Sequence, residues 1–235
     1  MDDRRHHIRA RTRGVSPLTY WLVRTPLQLF FHTYLRMSRI GREHVPDRGP
    51  AIIASNHRSF FDPFIIGTMA RRPMYYVAKR ELFELHPLLS RLLSALGAFP
   101  VDRGRGDRDT IETAKQLLAR GELVLIFPEG TRTRPGPLAH PRRGVGRLAL
   151  ETGAPVIPLA IIGTEDIRDG LWLRPRRVRV RAGRALHFPH VDEATPAAAE
   201  IVTGRVWGCV QLQWAWLGGA VESEPSPSSV EQQAA

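Results

Sequence analysis

The sequence predicts an α/β fold, a single domain with a mixed, largely parallel sheet flanked by helices, and three observations point to it. Short apolar runs alternate with helix-like segments through the middle of the chain. Several runs are apolar throughout, such as Leu123 to Phe127 (L-V-L-I-F) and Val156 to Ile162 (V-I-P-L-A-I-I), as expected of strands buried on both faces. In addition, 43% of the 235 residues are apolar and no Pro/Gly/Ser-rich linker interrupts the middle, so one sizeable core is expected.

The elements follow in order. Ala51 to Ser55 reads as a buried strand, followed by a loop and a helix opening at Asp62-Pro63. Met74 to Ala78 is a second strand. Pro87 to Leu96 is helical, with Gly97 at the ending position, and Phe99 to Val101 is a short strand. Asp109 and Glu112 cap a helix running to Arg120, where Gly121 ends it. After the strand at 123–127 come a helix from Gly144 to Thr152 and the strand at 156–162. Val178 to Arg181 alternates as a late strand, expected at an edge, and Ala197 to Leu217 is helical.

Ahead of this domain, residues 1–15 carry Arg4, Arg5, Arg9, Arg11 and Arg13 and read as a basic flexible tail. Residues 16–40 are strongly apolar, with Trp21, Leu22, Leu29, Phe30, Phe31 and Leu35. Arg24, Gln28 and His32 interrupt them short of the ~18 apolar residues a spanning helix needs. Ser16-Pro17 and Thr25-Pro26 each suit a helix start, and Gln28 completes a capping box with Thr25. Two short membrane-associating helices are therefore expected. An interfacial apolar helix and a basic segment are the two signals that peripheral binding requires. No secretory signal pattern is expected at the N-terminus. The domain is read as 41–218, and 219–235 as a disordered polar tail.

The net charge of +11 calls for a polyanionic partner, but does not choose among nucleic acid, anionic lipid and a phosphorylated substrate. With Cys209 as the only cysteine, an internal disulfide, a cysteine zinc cluster and a redox pair are excluded. No metal site is expected from the His and carboxylate spacings. Neither G-x-x-x-x-G-K-[ST], nor G-x-G-x-x-G opening a helix, nor G-x-S-x-G occurs.

Two loops carry candidate chemistry, each following a buried strand, where sites in such sheets are built. In N-H-R-S-F-F-D, Asn56 to Asp62, His57 can donate its Nδ1–H to Asp62 and keep Nε2 free as a base. Asp62 before Pro63 also suits a helix start, so the pair alone is not decisive. In F-P-E-G-T-R, Phe127 to Arg132, Gly130 lets backbone amides approach an anion, and Thr131 and Arg132 add a hydroxyl and a guanidinium fork suited to phosphate.

The order N-H-x-x-x-x-D, V-D-R, F-P-E-G-T-R, V-I-P-L, spanning Gly41 to Gly163, resembles the glycerolipid acyltransferase family and its lysophosphatidic acid (1-acylglycerol-3-phosphate) acyltransferases. The resemblance implies that His57 deprotonates an acceptor hydroxyl, which attacks the thioester of acyl-CoA or acyl carrier protein, while Asp62 holds His57. Arg103 and Arg132 would bind the acceptor phosphate, with Lys79 a further candidate. Glu129 would support its loop or contact the acceptor, and Pro158 would lie on the acyl-chain side. No cofactor, metal or covalent intermediate is implied, and backbone amides near His57 are candidates for stabilising the oxyanion. The partners would be a membrane lipid acceptor, the acyl donor and an anionic membrane surface. The location would be peripheral or monotopic on the cytoplasmic face of the plasma membrane. Ser90, where the family usually has glycine, and His140, at a position more often aromatic, depart from the pattern. Rival readings are a relative acting on another lysolipid or a glycan-bearing lipid, a lipid-binding relative without catalysis, and a nucleic-acid-binding protein. The last is disfavoured because the aromatics sit mainly in apolar helices and the arginines are dispersed.

Overall fold

A computed structural model describes residues 3–12, 14–101, 108–133, 136–169 and 172–220. Seven strands form one sheet: β1 (Ser38–Ile40), β2 (Ala51–Ser55), β3 (Met74–Lys79), β4 (Ala98–Val101), β5 (Leu123–Ile126), β6 (Val156–Ile162) and β9 (Arg179–Ala182). Their order is β1-β9-β6-β2-β5-β3-β4. All neighbours run parallel except β6 and β9, so the sheet is mixed and mostly parallel, as expected. Two short strands, β7 (Arg168–Asp169) and β8 (Trp172–Leu173), pair antiparallel in a separate hairpin.

The continuous apolar runs are explained by burial on both faces. In β2, Ala51 and Ile53 enter one core while Ile52 and Ala54 enter the other, and β5 divides Leu123 and Leu125 from Val124 in the same way. Helices α2 (Pro17–Thr33), α3 (Asp62–Gly67), α4 (Glu81–Glu84) and α5 (Pro87–Ala95) contribute to the first core through Phe31, Ile65, Ile66, Phe83 and Leu93. On the other face lie α6 (Arg108–Ala119), α7 (Gly144–Thr152) and α8 (Pro196–Trp216). Helix α8 opens at Thr195, whose side chain accepts the Ala198 N–H, and buries Ala199, Val202, Thr203, Val206, Val210 and Trp214 at helical spacing. It crosses α7 closely at Gly146: a Cβ there would lie 2.0 Å from the Ala199 carbonyl oxygen.

Three expectations need correction. Residues 3–12, expected to be a flexible tail, form a helix, α1 (Asp3–Thr12), docked against α6. Its low hydropathy hid it, because polar contacts hold it. His7 Nδ1 pairs with Thr113 Oγ1 at 2.8 Å, Arg11 Nε donates to the same hydroxyl at 2.9 Å, and Arg120 donates to the Arg11 carbonyl at 2.7 Å. Ser90, the departure from the family's glycine, meets His6 Nε2 at 3.3 Å. Second, residues 16–40 hold one 17-residue helix rather than two, and Pro26 lies inside it. The chain does begin with two helices, but they are α1 and α2. Third, β9 is not at an edge, because β1, three residues long and unforeseen, pairs outside it through Ser38 opposite Arg179. Of the tail expected from 219, residues 221–235 lie outside the described residues.

Candidate active site

Strands β2 and β5 are parallel neighbours, paired Ala54 to Ile126, so the loops leaving their carboxyl ends meet. Asn56 fixes the first loop to the sheet. Its Nδ2 donates to the Ile161 carbonyl and its Oδ1 accepts the Ile161 N–H, both at 2.9 Å, which ties the end of β2 to β6.

His57 follows, almost fully buried. Its Nδ1 lies 2.8 Å from Asp62 Oδ2, and its ring stacks on Phe127 at 3.9 Å between centroids with 16° between planes. Asp62, the first residue of α3, is fully buried, and the same oxygen accepts the backbone N–H groups of Arg58 at 2.6 Å and Ser59 at 2.7 Å. The carboxylate therefore shapes the loop and fixes the ring together. With Nδ1–H donated to Asp62, Nε2 is left as the acceptor that a general base needs.

The second loop is fastened to the first through His57 itself. Glu129 Oε2 accepts the His57 N–H at 2.7 Å, and the Thr133 N–H donates to the His57 carbonyl at 2.9 Å. Glu129 Oε1 accepts from Thr133 Oγ1 at 3.3 Å and from the Ala139 N–H at 3.2 Å. Burial pushes the Glu129 carboxyl above its ordinary value, opposed by these donors and by the charge of Arg58. With both oxygens engaged and the side chain buried, Glu129 supports the loop rather than facing an acceptor.

Gly130 turns this loop at φ +71°, a conformation that favours glycine. Thr131 and Arg132 beyond it are exposed on the same turn. Arg142, one of three arginines that follow this motif closely in the sequence, packs on it. Its N–H donates to the Pro128 carbonyl at 2.8 Å and its guanidinium lies over Gly130. Nothing local in the sequence singles it out among them, since it stands twelve residues beyond Gly130 in an arginine-rich stretch. Arg58 is a residue the sequence reading missed. It donates to the carbonyls of Gly136 and Pro137, and its guanidinium lies 4.9 Å over the Trp214 ring of α8.

The other expected residues are placed differently. Lys79 ends β3, two strands from β2, and pairs with Glu81 at 2.7 Å. Arg103 lies outside the described residues. Pro158 is buried within β6, paired with Ala54. The amides of His57, Arg58 and Ser59 all donate to carboxylates, so these three are not available to stabilise an oxyanion. A largely apolar groove lined by Arg24, Leu27, Pro63, Phe64 and Tyr76, among others, opens between α2 and α3.

A sequence profile of the acyltransferase family matches residues 36–162, more than half of the chain. The chain belongs to the acyltransferase family. A 1-acyl-sn-glycerol-3-phosphate acyltransferase of Bacillus subtilis is 31% identical over 172 residues, covering 70% of this acyltransferase and 83% of that protein. A Pseudomonas aeruginosa protein of the same name is 33% identical over 165 residues, 68% of this chain and 62% of that one. A chloroplast relative from Arabidopsis thaliana is 29% identical over 168 residues, and the match spans 46% of its length. The chain thus spans about half of the plant relative. The crystal structure of PlsC, a 1-acyl-sn-glycerophosphate acyltransferase from Thermotoga maritima, shares the fold. Its TM-score is 0.62 at 24% identity, covering 91% of this chain and 84% of that one.

Proposed function

We propose that this acyltransferase is a 1-acyl-sn-glycerol-3-phosphate O-acyltransferase, moving an acyl group from acyl-CoA or acyl carrier protein onto lysophosphatidic acid to give phosphatidic acid. The observation that carries this reading is the His57–Asp62 pair at 2.8 Å, bonded through Glu129 to a turn bearing Thr131 and Arg132. A base and a phosphate-binding turn on adjoining loops suit an acceptor whose hydroxyl and phosphate are a few bonds apart.

In the reaction, His57 Nε2 takes the proton of the acceptor hydroxyl as its oxygen attacks the thioester carbonyl. Asp62 stabilises the imidazolium through Nδ1. The tetrahedral intermediate collapses, the C–S bond breaks, and the departing thiolate takes the proton back from Nε2. The products are an ester and a free thiol, with the base restored. General-base catalysis of this kind contributes about 10²–10⁴-fold. Arg132 orients the acceptor through its phosphate.

The surface supports work at a lipid interface. No helix among the described residues is long and apolar enough to cross a membrane. Helix α2 buries Tyr20, Arg24 and Phe31 yet turns Leu18, Leu22 and Leu29 outward at 80%, 70% and 66% exposure. Spacings of four and seven residues put these leucines on one stripe. That stripe lies in the headgroup region of an anionic bilayer, drawn there by the +11 net charge, with the enzyme peripheral on the cytoplasmic face of the plasma membrane.

The test is transfer of labelled palmitate from palmitoyl-CoA, or from palmitoyl carrier protein, to lysophosphatidic acid in liposomes, by wild type and by His57→Ala. Transfer by wild type alone is expected. No transfer from either donor, or equal transfer by the variant, would overturn the reading.

A further inference from the structure

The Arg142 side chain packs against Gly130 of the P-E-G-T-R turn. A Cβ built on Gly130 would come within 2.8 Å of Arg142 Nε, 3.0 Å of its Cδ and 3.1 Å of its Cζ. The residue is held from both ends, since its own N–H donates to the Pro128 carbonyl at 2.8 Å. Glycine at 130 therefore does two things: it takes the positive φ, and it leaves the space the guanidinium occupies.

Among the described residues, this positive charge has no ion-pair partner. No acidic residue occurs between Gly130 and Gly144. The nearest carboxylate in the chain, Glu129, has both oxygens committed to His57, Thr133 and Ala139. Among the described residues, neither Arg142 nor Arg132 donates a side-chain hydrogen bond or forms an ion pair. Both are exposed: Arg132 lies two residues after Gly130 in the chain, and Arg142 packs against that glycine. Two guanidinium groups so placed repel each other unless an anion lies between them, and a doubly charged phosphomonoester can accept from both forks.

We infer that Arg142 is a second arm of the phosphate site, binding the acceptor's phosphomonoester together with Arg132. The inference rests on the lysophosphatidate reading above and adds to it a residue ten positions beyond the motif. The acceptor is preferred over the donor for a geometric reason. The turn is bonded to His57 itself, and an acceptor's hydroxyl and phosphate are only a few bonds apart. The phosphates of coenzyme A are separated from the thioester by the whole pantetheine arm.

The experiment compares wild type, Arg142→Ala, Arg142→Lys and Gly130→Ala, all full length, in two measurements. In the transfer assay, Arg142→Ala raises the KM for lysophosphatidic acid about ten- to a hundredfold, as expected for losing a charge-assisted contact, and leaves the KM for palmitoyl-CoA unchanged. Arg142→Lys recovers part of that loss. Gly130→Ala, which displaces the guanidinium, gives the same KM signature. A rise in the donor KM instead assigns Arg142 to the donor's phosphates and overturns the proposal. So does a fall in kcat with both KM values unmoved, the mark of a merely structural role. The second measurement is calorimetric binding of glycerol 3-phosphate, which stands even if no transfer is found and the proposed function fails. Binding weakened by Arg142→Ala, in a variant with wild-type thermal midpoint, supports the site, and equal binding overturns it.

Discussion

The backbone N–H of His57 donates to Glu129 Oε2 across 2.7 Å, so the His57 loop and the P-E-G-T-R turn are bonded directly to one another. Thr133 closes the same link by donating to the His57 carbonyl at 2.9 Å. What moves the turn therefore moves the imidazole.

Replacing Glu129 with Ala breaks this link and leaves the buried His57 amide unpaired, a loss of about 1–3 kcal/mol. The expected outcome is a lower kcat with a lower thermal midpoint. Glu129→Gln, which keeps one acceptor oxygen, falls between wild type and Ala. Wild-type kcat in Glu129→Ala would remove Glu129 from the positioning of His57.

On the proposed mechanism His57→Ala removes the base, and it is expected to lower kcat by at least about a hundredfold while the thermal midpoint stays close to wild type. Asp62→Asn behaves differently, because Asp62 also receives the amides of Arg58 and Ser59. Activity and thermal midpoint both fall in that variant. The check is to measure turnover and thermal unfolding on the same preparations.

Glu151 offers a pH prediction away from the site. It forms ion pairs with Lys115 at 2.7 Å and Arg147 at 2.8 Å, and these partners hold its carboxyl below the ordinary value despite burial. A depressed folded value means that the folded state binds fewer protons than the unfolded state as the pH falls through that range. The stabilisation is thus complete above the unfolded value of about 4.3 and is lost as pH falls through the lower folded value. Glu151→Gln should flatten this acid limb of the unfolding midpoint against pH. A limb unchanged by the substitution would assign it to other carboxylates.

The outward stripe of α2 predicts a separable defect. Leu18→Glu with Leu22→Glu should abolish sedimentation with phosphatidylglycerol vesicles while leaving the thermal midpoint within a few degrees, since both side chains are exposed. Retained binding would place the lipid contact elsewhere.

Much of the chemistry was legible locally. His57 and Asp62 stand five apart around one turn, and that spacing suffices for the Nδ1 contact seen at 2.8 Å. Gly130 at a positive φ and the apolar runs of β2, β5 and β6 are likewise short-range facts. Lys79 shows the limit of such reading: it reaches the same end of the sheet as His57, but β5 lies between their strands and Glu81 is its partner.

By itself, then, the sequence determined the α/β class, most of the elements and the paired His57 and Asp62, because periodicity, caps and one-turn spacings act over a few residues. Only the tertiary structure decided that α1 packs as a helix, that β1 covers β9, that Glu129 faces His57 and that Arg142 lies on Gly130. Each of those depends on contacts between segments distant in the chain or on polar docking with no apolar stripe. Hydrophobic patterning carries no record of which polar groups will meet once the sheet order brings their strands together.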